Sequence, residues 1–327
     1  MFSAQIATLA SLLDVTTPKP GNVHRFSDFK DMGQEHFLTS AIASFPAFLE
    51  GSKRGKSLLE GNLTHSEVGL GELIKKGILA SKNWGLTQNC NLGILLLVIP
   101  LCVVSNYADE KTRDWINNAR TMIAKLLDES TWIDSVNILT AIRLAQPAGL
   151  GKSEKYDVLD TQVLSEIEAN RVNLRQLFWE GRTRDLICQE YTTNFETIFL
   201  DTLPRFYKSI ANQISLREAI LDVYLNILAS YPDTHLRRKY GSTIAKKIQQ
   251  KGQGVLKAGS VYSNEGISAI YQLDNYLKDK KYNPGTTADF TVATLFVFWL
   301  DLWNKNRKFD LSGLITPGNL IEPWRAP

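Results

Sequence analysis

The polar residues best suited to chemistry lie in one turn-rich segment, Thr16–Met32. Two prolines and Gly21 stiffen and turn its backbone. Asp28 and Asp31 follow at a spacing that places both carboxylates on one side of a helical turn, where they could share a divalent cation or divide acid and base work. The segment therefore predicts a site for a metal-bound polyphosphate, although a surface loop capped by Ser27 or Asp28 would have the same residues. Its basic, imidazole and amide side chains are Lys19, Asn22, His24 and Arg25.

A second polar turn, Thr87–Gly93, leads directly into the most apolar stretch of the chain, Leu92–Val104. The start of a buried helix presents free backbone N–H groups and the positive end of the helix dipole, which favour an anionic ligand. Asn89 and Asn91 add side-chain donors. The same residues are also typical of a helix N-cap followed by a solvated turn.

Three later segments carry the remaining candidates. Arg184 and Asp185 are neighbours and would point about 100° apart on a helix, so they do not simply neutralise each other. Asp233 and His235 precede a run of basic residues, whose charges favour a nearby anion. Asp289 follows an Asn-Pro-Gly turn and opens an apolar helix, where an acid also favours the helix dipole. Each of these residues has a purely structural interpretation as well.

The elements that must position these residues are helices. Every patterned segment of ten or more residues has helical period, and strand patterns are scarce. The pattern predicts one all-α domain over residues 1–327, with Leu92–Val104 as its buried central helix and the polar segments converging on one cleft. Pro46 is interpreted as a kink or stop, residues 51–62 as a charged loop, and the tail from Asp310 as a surface wrap. Further helices are predicted at 3–15, 34–49, 63–78, 109–127, 135–144, 215–228 and 290–303.

The bulk properties favour small-molecule partners. The chain has 327 residues, 44% of them hydrophobic, and 37 basic against 34 acidic residues give a net charge of +3. That charge is too small to indicate bulk binding to nucleic acid or membranes. The three cysteines cannot all pair, and the N-terminus has no signal-peptide pattern, so a cytoplasmic location is expected. The oligomeric state stays open.

Several segments, in this order, resemble the triphosphoribosyl-dephospho-CoA synthase family, and some are similar to its archaeal-type branch. The resemblance is closest at Asn283–Asp289, which reproduces the pattern Asn-Pro-Gly-x-x-Ala-Asp in full. Cys90 stands where the family has threonine, and Ala148 where it has glycine. The other segments are Thr17–Val23 with Lys30–Met32, Asn89–Gly93, Pro147–Lys152 with Tyr156–Val158, Arg184–Tyr191 and Asp233–Gly241.

The resemblance implies a transferase that moves the triphosphoribosyl group of ATP onto the 2′-hydroxyl of dephospho-CoA and releases adenine. Such a site needs a held metal triphosphate, a base for the hydroxyl proton and hydrogen bonds to the leaving adenine. Mg²⁺ is the expected cofactor, with Asp31, Asp185 and Asp233 as candidate ligands. The candidate catalytic residues are Asp31, His24, Asp233 and His235. The candidate substrate-binding residues are Lys19, Gly21, Asn22, Asn89, Asn91, Arg184, Tyr191, Lys239, Asn283, Gly285 and Asp289.

Two other functions stay open from the sequence. One is an ATP-dependent ribosyl or phosphoribosyl transferase with a different acceptor in coenzyme biosynthesis. The other is a non-catalytic helical protein that only binds nucleotide. Release of adenine from ATP separates either enzyme from the binder, and a screen of acceptors separates the two enzymes.

Overall fold

The computed structural model describes residues 1–110, 114–151 and 153–306, so the tail predicted from Asp310 lies outside the described residues. Within these ranges the chain is helical and has no β-strand, which confirms the predicted all-α class. No helix there is both long and apolar enough to cross a membrane. The helices are α1 (Phe2–Thr16), α2 (Gln34–Leu59), α3 (Leu70–Asn83), α4 (Leu92–Val104), α5 (Trp115–Asp128), α6 (Trp132–Ala145), α7 (Val163–Ala169), α8 (Leu174–Trp179), α9 (Leu186–Thr193), α10 (Leu203–Ala211), α11 (Leu216–Ser230), α12 (Thr234–Tyr240), α13 (Ser242–Lys257), α14 (Asn264–Asp279) and α15 (Gly285–Asn306).

Helix α4 is the centre of the larger hydrophobic cluster. Its side chains are apolar on every side, and such a helix must be surrounded by other elements. It packs against α2, α3 and α15 and also contacts α1, α5, α6 and α9. All of its residues except Gly93 and Ile94 are buried. The predicted buried central helix is therefore confirmed.

Helix α15 connects this cluster to a second one. It packs against α1 and α4 on one side, and it also contacts α11 and α12. The second cluster is formed by apolar side chains of α11, α12, α13 and α14. Because α15 contacts helices of both clusters, the start of this helix has a fixed place beside them.

Several helix boundaries differ from the prediction, and among them α3 begins at Leu70 rather than at residue 63. Helix α2 does not stop near Pro46 but continues to Leu59, through the segment predicted as a loop. Pro46 lies on the exposed face, so the carbonyl that it leaves unpaired can bond to water. Further along, α2 packs so closely on α4 that a Cβ at Gly55 would overlap the α4 backbone, and this packing favours the helix. Helix α5 begins at Trp115 rather than at Asp109.

The segment that carries Asp28 and Asp31 is not a helical turn. Two isolated antiparallel bridges, His24–Ser27 and Phe29–Met32, fold it into consecutive tight turns. Asp28 accepts a hydrogen bond from the backbone N–H of Gln34 at 3.1 Å and so ties the last turn to the start of α2. The prediction of two aspartates on one helical face was wrong because local backbone bridges determine this segment.

Candidate active site

A cavity of about 1350 Å³ lies among the residues of α4, α6, α8, α9, α12 and α15 and the loops that join them. Ligand pockets usually measure about 300–1,000 Å³, so this one has room for more than one small ligand. All the sequence segments that resemble the family contribute lining residues. Of the residues predicted for the site, Asn22, Asp31, Asn89, Asn91, Arg184, Asp185, His235, Lys239, Asn283, Gly285 and Asp289 line it.

Asp289 occupies the most unusual position in the cavity wall. It lies in the first turns of α15 and faces Gly93, in the first turn of α4, so closely that a side chain at position 93 would overlap it. Among the described residues, no hydrogen bond or ion pair reaches its oxygens. Burial raises the pKa of Asp289 well above its usual range, and the carboxylates of Asp233 and Asp14 raise it further. Asp289 is thus a carboxylate held in a position that disfavours its negative charge.

Asp185 is engaged from two sides. One of its oxygens accepts hydrogen bonds from the backbone N–H groups of Ile187 at 2.9 Å and Cys188 at 3.3 Å, so Asp185 is the N-cap of α9. Its other oxygen forms an ion pair with Arg238 on α12. The helix predicted to carry Arg184 and Asp185 side by side therefore begins only after them.

Asp233 lies behind the cavity wall, where it caps two helices. One oxygen accepts from the backbone N–H of Leu236 at 2.9 Å, at the start of α12. The other accepts from both the N–H and the hydroxyl of Thr287 at 2.8 Å, at the start of α15. The adjacent His235 N–H donates to the Thr286 hydroxyl at 3.0 Å. A carboxylate that is 2% exposed and bonded in this way positions the site without facing a ligand.

Basic side chains form the part of the wall beside α12. The His235 ring lines the cavity next to Gly285, and burial lowers its pKa, which favours the neutral imidazole. Arg237 donates to the carbonyl of Thr183 at 3.0 Å, and Lys239 is exposed at the rim. The basic lining residues of α12 and of the preceding α8–α9 turn are Arg184, Arg237, Arg238 and Lys239.

Amide side chains form another part of the wall. The Asn22 amide donates to the Asn283 amide oxygen at 2.7 Å, which joins the first family-like segment to the last. Asn89 accepts from the backbone N–H of Leu92 at 3.1 Å and so supports the start of α4. Asn91 donates to two buried serine hydroxyls, one on α2 and one on α3, at 2.9 and 2.8 Å, and these bonds fix the position of its amide.

Four further candidates lie outside the cavity lining. Lys19 is fully buried in an ion pair with Asp14, and burial lowers the pKa of its ammonium group. The Gly21 N–H donates to Asp274 at 2.9 Å. His24 is buried beside Lys278, and burial lowers its pKa to about 3, so it stays neutral. Tyr191 donates its hydroxyl to the carbonyl of Leu96 in the core, at 2.7 Å.

The three aspartates predicted as metal ligands lie at different depths relative to the cavity. Asp31 is exposed at the rim of the cavity, Asp185 is in its wall and Asp233 is behind it. Within the described parts of the chain, no group of three His, Cys, Asp or Glu residues forms a ready metal site. The three aspartates therefore do not act as one preformed cluster.

Two residues of the site, Asp14 and Arg238, carry sequence signals but are not among the predicted site residues. Asp14 lines the cavity near Asp289, and its position in the apolar stripe of α1 marks a carboxylate that needs a buried partner. Arg238 was passed over within the basic run, although it alone pairs with Asp185 among the described arginines. The apolar lining from α6 and α8 has no sequence signal that separates it from ordinary core.

Comparisons with known proteins agree with the motif pattern. The family described as ATP:dephospho-CoA triphosphoribosyl transferase matches residues 2–308. The chain belongs to this family. A relative from Malonomonas rubra, named as a probable 2-(5''-triphosphoribosyl)-3'-dephosphocoenzyme-A synthase, is 29% identical over 295 residues, which cover 88% of this chain and 84% of that relative. The predicted family and the predicted transferase class are therefore confirmed.

Other members show a shorter match or a shared fold. The 2-(5''-triphosphoribosyl)-3'-dephosphocoenzyme-A synthase of Klebsiella pneumoniae is 28% identical over 108 residues, 33% of this chain and 36% of that protein. A crystal structure from Archaeoglobus fulgidus, assigned by name as a triphosphoribosyl-dephospho-CoA synthase, has a TM-score of 0.59 at 24% identity. It covers 82% of this chain and 98% of its own. The second likeness concerns the fold alone.

Proposed function

We propose that the cavity is the active site in which this transferase moves the triphosphoribosyl group of ATP onto the 2′-hydroxyl of dephospho-CoA. The hydroxyl oxygen attacks the anomeric carbon of the ATP ribose. The bond from that carbon to the adenine nitrogen breaks, and its electron pair leaves with the base, which takes up a proton from the solvent. The hydroxyl proton passes to a group on the protein.

Asp289 is the group that receives this proton. A general base works best when its pKa lies near the operating pH, and an aspartate reaches that range only when its environment raises the pKa. Burial and the neighbouring Asp233 and Asp14 carboxylates act on Asp289 in this direction. His235 lines the same cavity as a neutral imidazole and is the second group able to move a proton there.

The triphosphate lies against the basic wall. Arginine binds phosphate oxygens with paired N–H donors, and lysine adds a point charge. Arg184, Arg237 and Lys239 line this wall, and Arg238 joins them. The starts of α4, α9 and α15 also face the cavity and direct the positive ends of their dipoles toward an anion.

The carboxylates at this wall fit Mg²⁺ as a companion of ATP. Magnesium usually binds through one or two carboxylates together with phosphates and waters, so no cluster of three protein ligands is required. Asp31 has no bonding partner among the described residues, and Asp185 faces the cavity beside Arg238. These two aspartates would hold the ion, which supplies charge neutralisation to the triphosphate. Asp233 is excluded from this role because, unlike Asp185, it lies outside the cavity lining, and its oxygens bond to two helix starts.

The leaving adenine is held by the amide wall. Asn22, Asn89 and Asn283 line the cavity, and side-chain amides offer both donors and acceptors to a purine edge. The bond between Asn22 and Asn283 fixes two of these amides in place. Hydrogen bonds to the departing base stabilise the charge that it carries away.

The single observation that supports this location is the contact of Gly93 with Asp289, which brings two distant family-like segments together in the cavity wall. The test incubates the protein with ATP, Mg²⁺ and dephospho-CoA and measures adenine by chromatography. We expect adenine only when all three are present. Release of adenine with another acceptor but not with dephospho-CoA would show that the enzyme uses that other acceptor. Binding of ATP without any release of adenine would show that the protein is a nucleotide-binding protein and not an enzyme.

A further inference from the structure

One side of the cavity is formed by apolar side chains, and we call it the apolar arm. It is distinct from the basic and amide walls because its lining positions on α6 and α8 carry no charge. Its members are Ile138, Leu139, Ile142, Leu150, Tyr156 and Leu177.

The apolar arm is one continuous surface. Helix α6 contacts α8 and α4, and α8 packs against α9, so the lining positions of these helices adjoin. The loop after α6 closes the arm and is fixed to it, since Arg143 on α6 donates to the carbonyl of Val158 at 2.8 Å and to that of Asp160 at 2.6 Å. Ile142, Leu150 and Tyr156 are only half-buried, which leaves apolar surface facing the cavity.

An apolar surface of this kind needs an uncharged ligand. Burial of apolar surface is favourable by roughly 25 cal/mol per Å², whereas a phosphate placed there would lose its hydration without a partner. The lining arginines lie instead at the turn before α9 and on α12, and Lys155 in the loop after α6 lies 4.0 Å from the carboxylate of Glu180. The arm therefore selects the uncharged part of one substrate.

The geometry points to the pantetheine chain of dephospho-CoA as the ligand of the apolar arm. This inference rests on the proposed function, because it takes the two substrates from that reaction. Of these substrates, only dephospho-CoA carries a long uncharged chain. The gem-dimethyl and methylene carbons of this chain match the apolar side chains of the arm. The amides of Asn22, Asn89 and Asn283, which suit the polar edge of a purine, lie outside the arm.

Calorimetric titration measures ligand binding without the transfer reaction, so it tests this inference separately from catalysis. Dephospho-CoA and ADP are the probes, because ADP is the same nucleotide without the pantetheine chain. The variants are Ile142→Asn on α6 and Leu150→Asn in the loop, so that one remains if the other fails to fold. The matched control is Ile133→Asn, which changes a side chain that is 53% exposed on the same helix and lies outside the cavity lining.

We expect the wild-type protein to bind dephospho-CoA more tightly than ADP. Each arm variant should weaken dephospho-CoA binding about ten-fold or more, since a missing apolar contact in a pocket changes discrimination by about 10–200-fold. ADP binding and the KM for ATP should not change, and the control should behave as wild type.

Three results would overturn the inference. They are equal wild-type affinity for the two probes, an unchanged affinity ratio in both arm variants, and a rise in the KM for ATP in place of weaker dephospho-CoA binding. The last result would assign the arm to the adenine of ATP. Adenine release by the wild-type protein is measured alongside, so that loss of the proposed function is distinguished from loss of the pantetheine assignment.

Discussion

The carboxylate of Asp289 lies against the backbone of Gly93, with no space between them for a side chain. The φ of Gly93 is not in the left-handed region, so close approach is the reason that glycine is needed at this position. Gly93→Ala should displace Asp289 and lower kcat/KM for adenine release by at least ~10-fold, comparable to misplacing a positioned group. Gly254→Ala is the control, because a Cβ there meets open space on α13. Wild-type turnover in Gly93→Ala would show that the position of Asp289 does not matter.

Asp289→Asn should separate activity from stability. Loss of the general base should lower adenine release by about 10²-fold or more. The melting temperature should rise because a carboxylate without a protein partner is removed from a position in the cavity wall that disfavours its charge. The raised pKa of Asp289 favours its protonated form, so its contribution to stability is lost as the pH rises above the ordinary aspartate range. The stability gain of the variant should therefore increase with pH. A lower melting temperature at every pH would contradict this account.

Asp233→Asn should destabilise the protein, since the amide cannot accept hydrogen bonds from both helix starts. One buried N–H is then left without an acceptor, which costs about 1–3 kcal/mol. Urea unfolding measures this loss, and the apparent affinity of the remaining folded enzyme for Mg²⁺ should be unchanged. An unchanged unfolding free energy with weaker Mg²⁺ dependence would make Asp233 a metal ligand after all.

Asp31→Asn tests a group with no structural partner at the cavity rim. The melting temperature should stay the same, because Asp31 is exposed and makes no described hydrogen bond. Adenine release at limiting Mg²⁺ should fall by roughly 10²-fold if the carboxylate grips the metal triphosphate. Asp279→Asn is the control, because Asp279 is also exposed, makes no described hydrogen bond or ion pair and lies outside the cavity lining. Equal rates of adenine release in the two variants would show that Asp31 is an ordinary surface residue and does not bind the metal.

Glu190 should give the stability of the protein a recognisable pH dependence. It is fully buried and accepts the backbone N–H groups of Thr197 and Ile198, each at 3.2 Å. Burial raises its pKa to about 7, so the stabilising contribution of the protonated acid is complete below the unfolded-state value of about 4.3. It is lost as the pH rises from that value through 7, by roughly 4 kcal/mol in total. Glu190→Gln should flatten this part of the curve of unfolding free energy, whereas parallel curves would contradict the prediction.

The helical spacing of apolar residues predicted most of the fold, because the burial of those residues determines how the helices pack. Leu92–Val104 is apolar all round and could only be a central helix, and the structure places it there. The same reasoning failed where tertiary contacts outweigh local preference. Pro46 favours a helix end, but the packing of α2 against α4 extends the helix past it.

The sequence predicted many of the residues that line the cavity, but it did not predict what each side chain does there. Residue types at loop ends indicated Asp289, Asn283 and His235, which line the cavity. The sequence could not show that Asp233 points away from the cavity into two helix starts, because both orientations have the same local pattern. The sequence also could not show whether Lys19 forms a buried ion pair, as it does with Asp14, or is available to bind a phosphate group.

The contact of Asp289 with Gly93 has a consequence for folding. Gly93 belongs to the fourth helix, whereas Asp289 belongs to the last helix that the structure describes. Contacts between such distant parts of a chain form late, because the entropy of closing the intervening loop must first be overcome. During synthesis, Asp289 cannot reach α4 until α15 has emerged from the ribosome. Catalytic activity therefore appears only when nearly the whole described chain has folded, and its onset in a refolding experiment should coincide with the docking of α15.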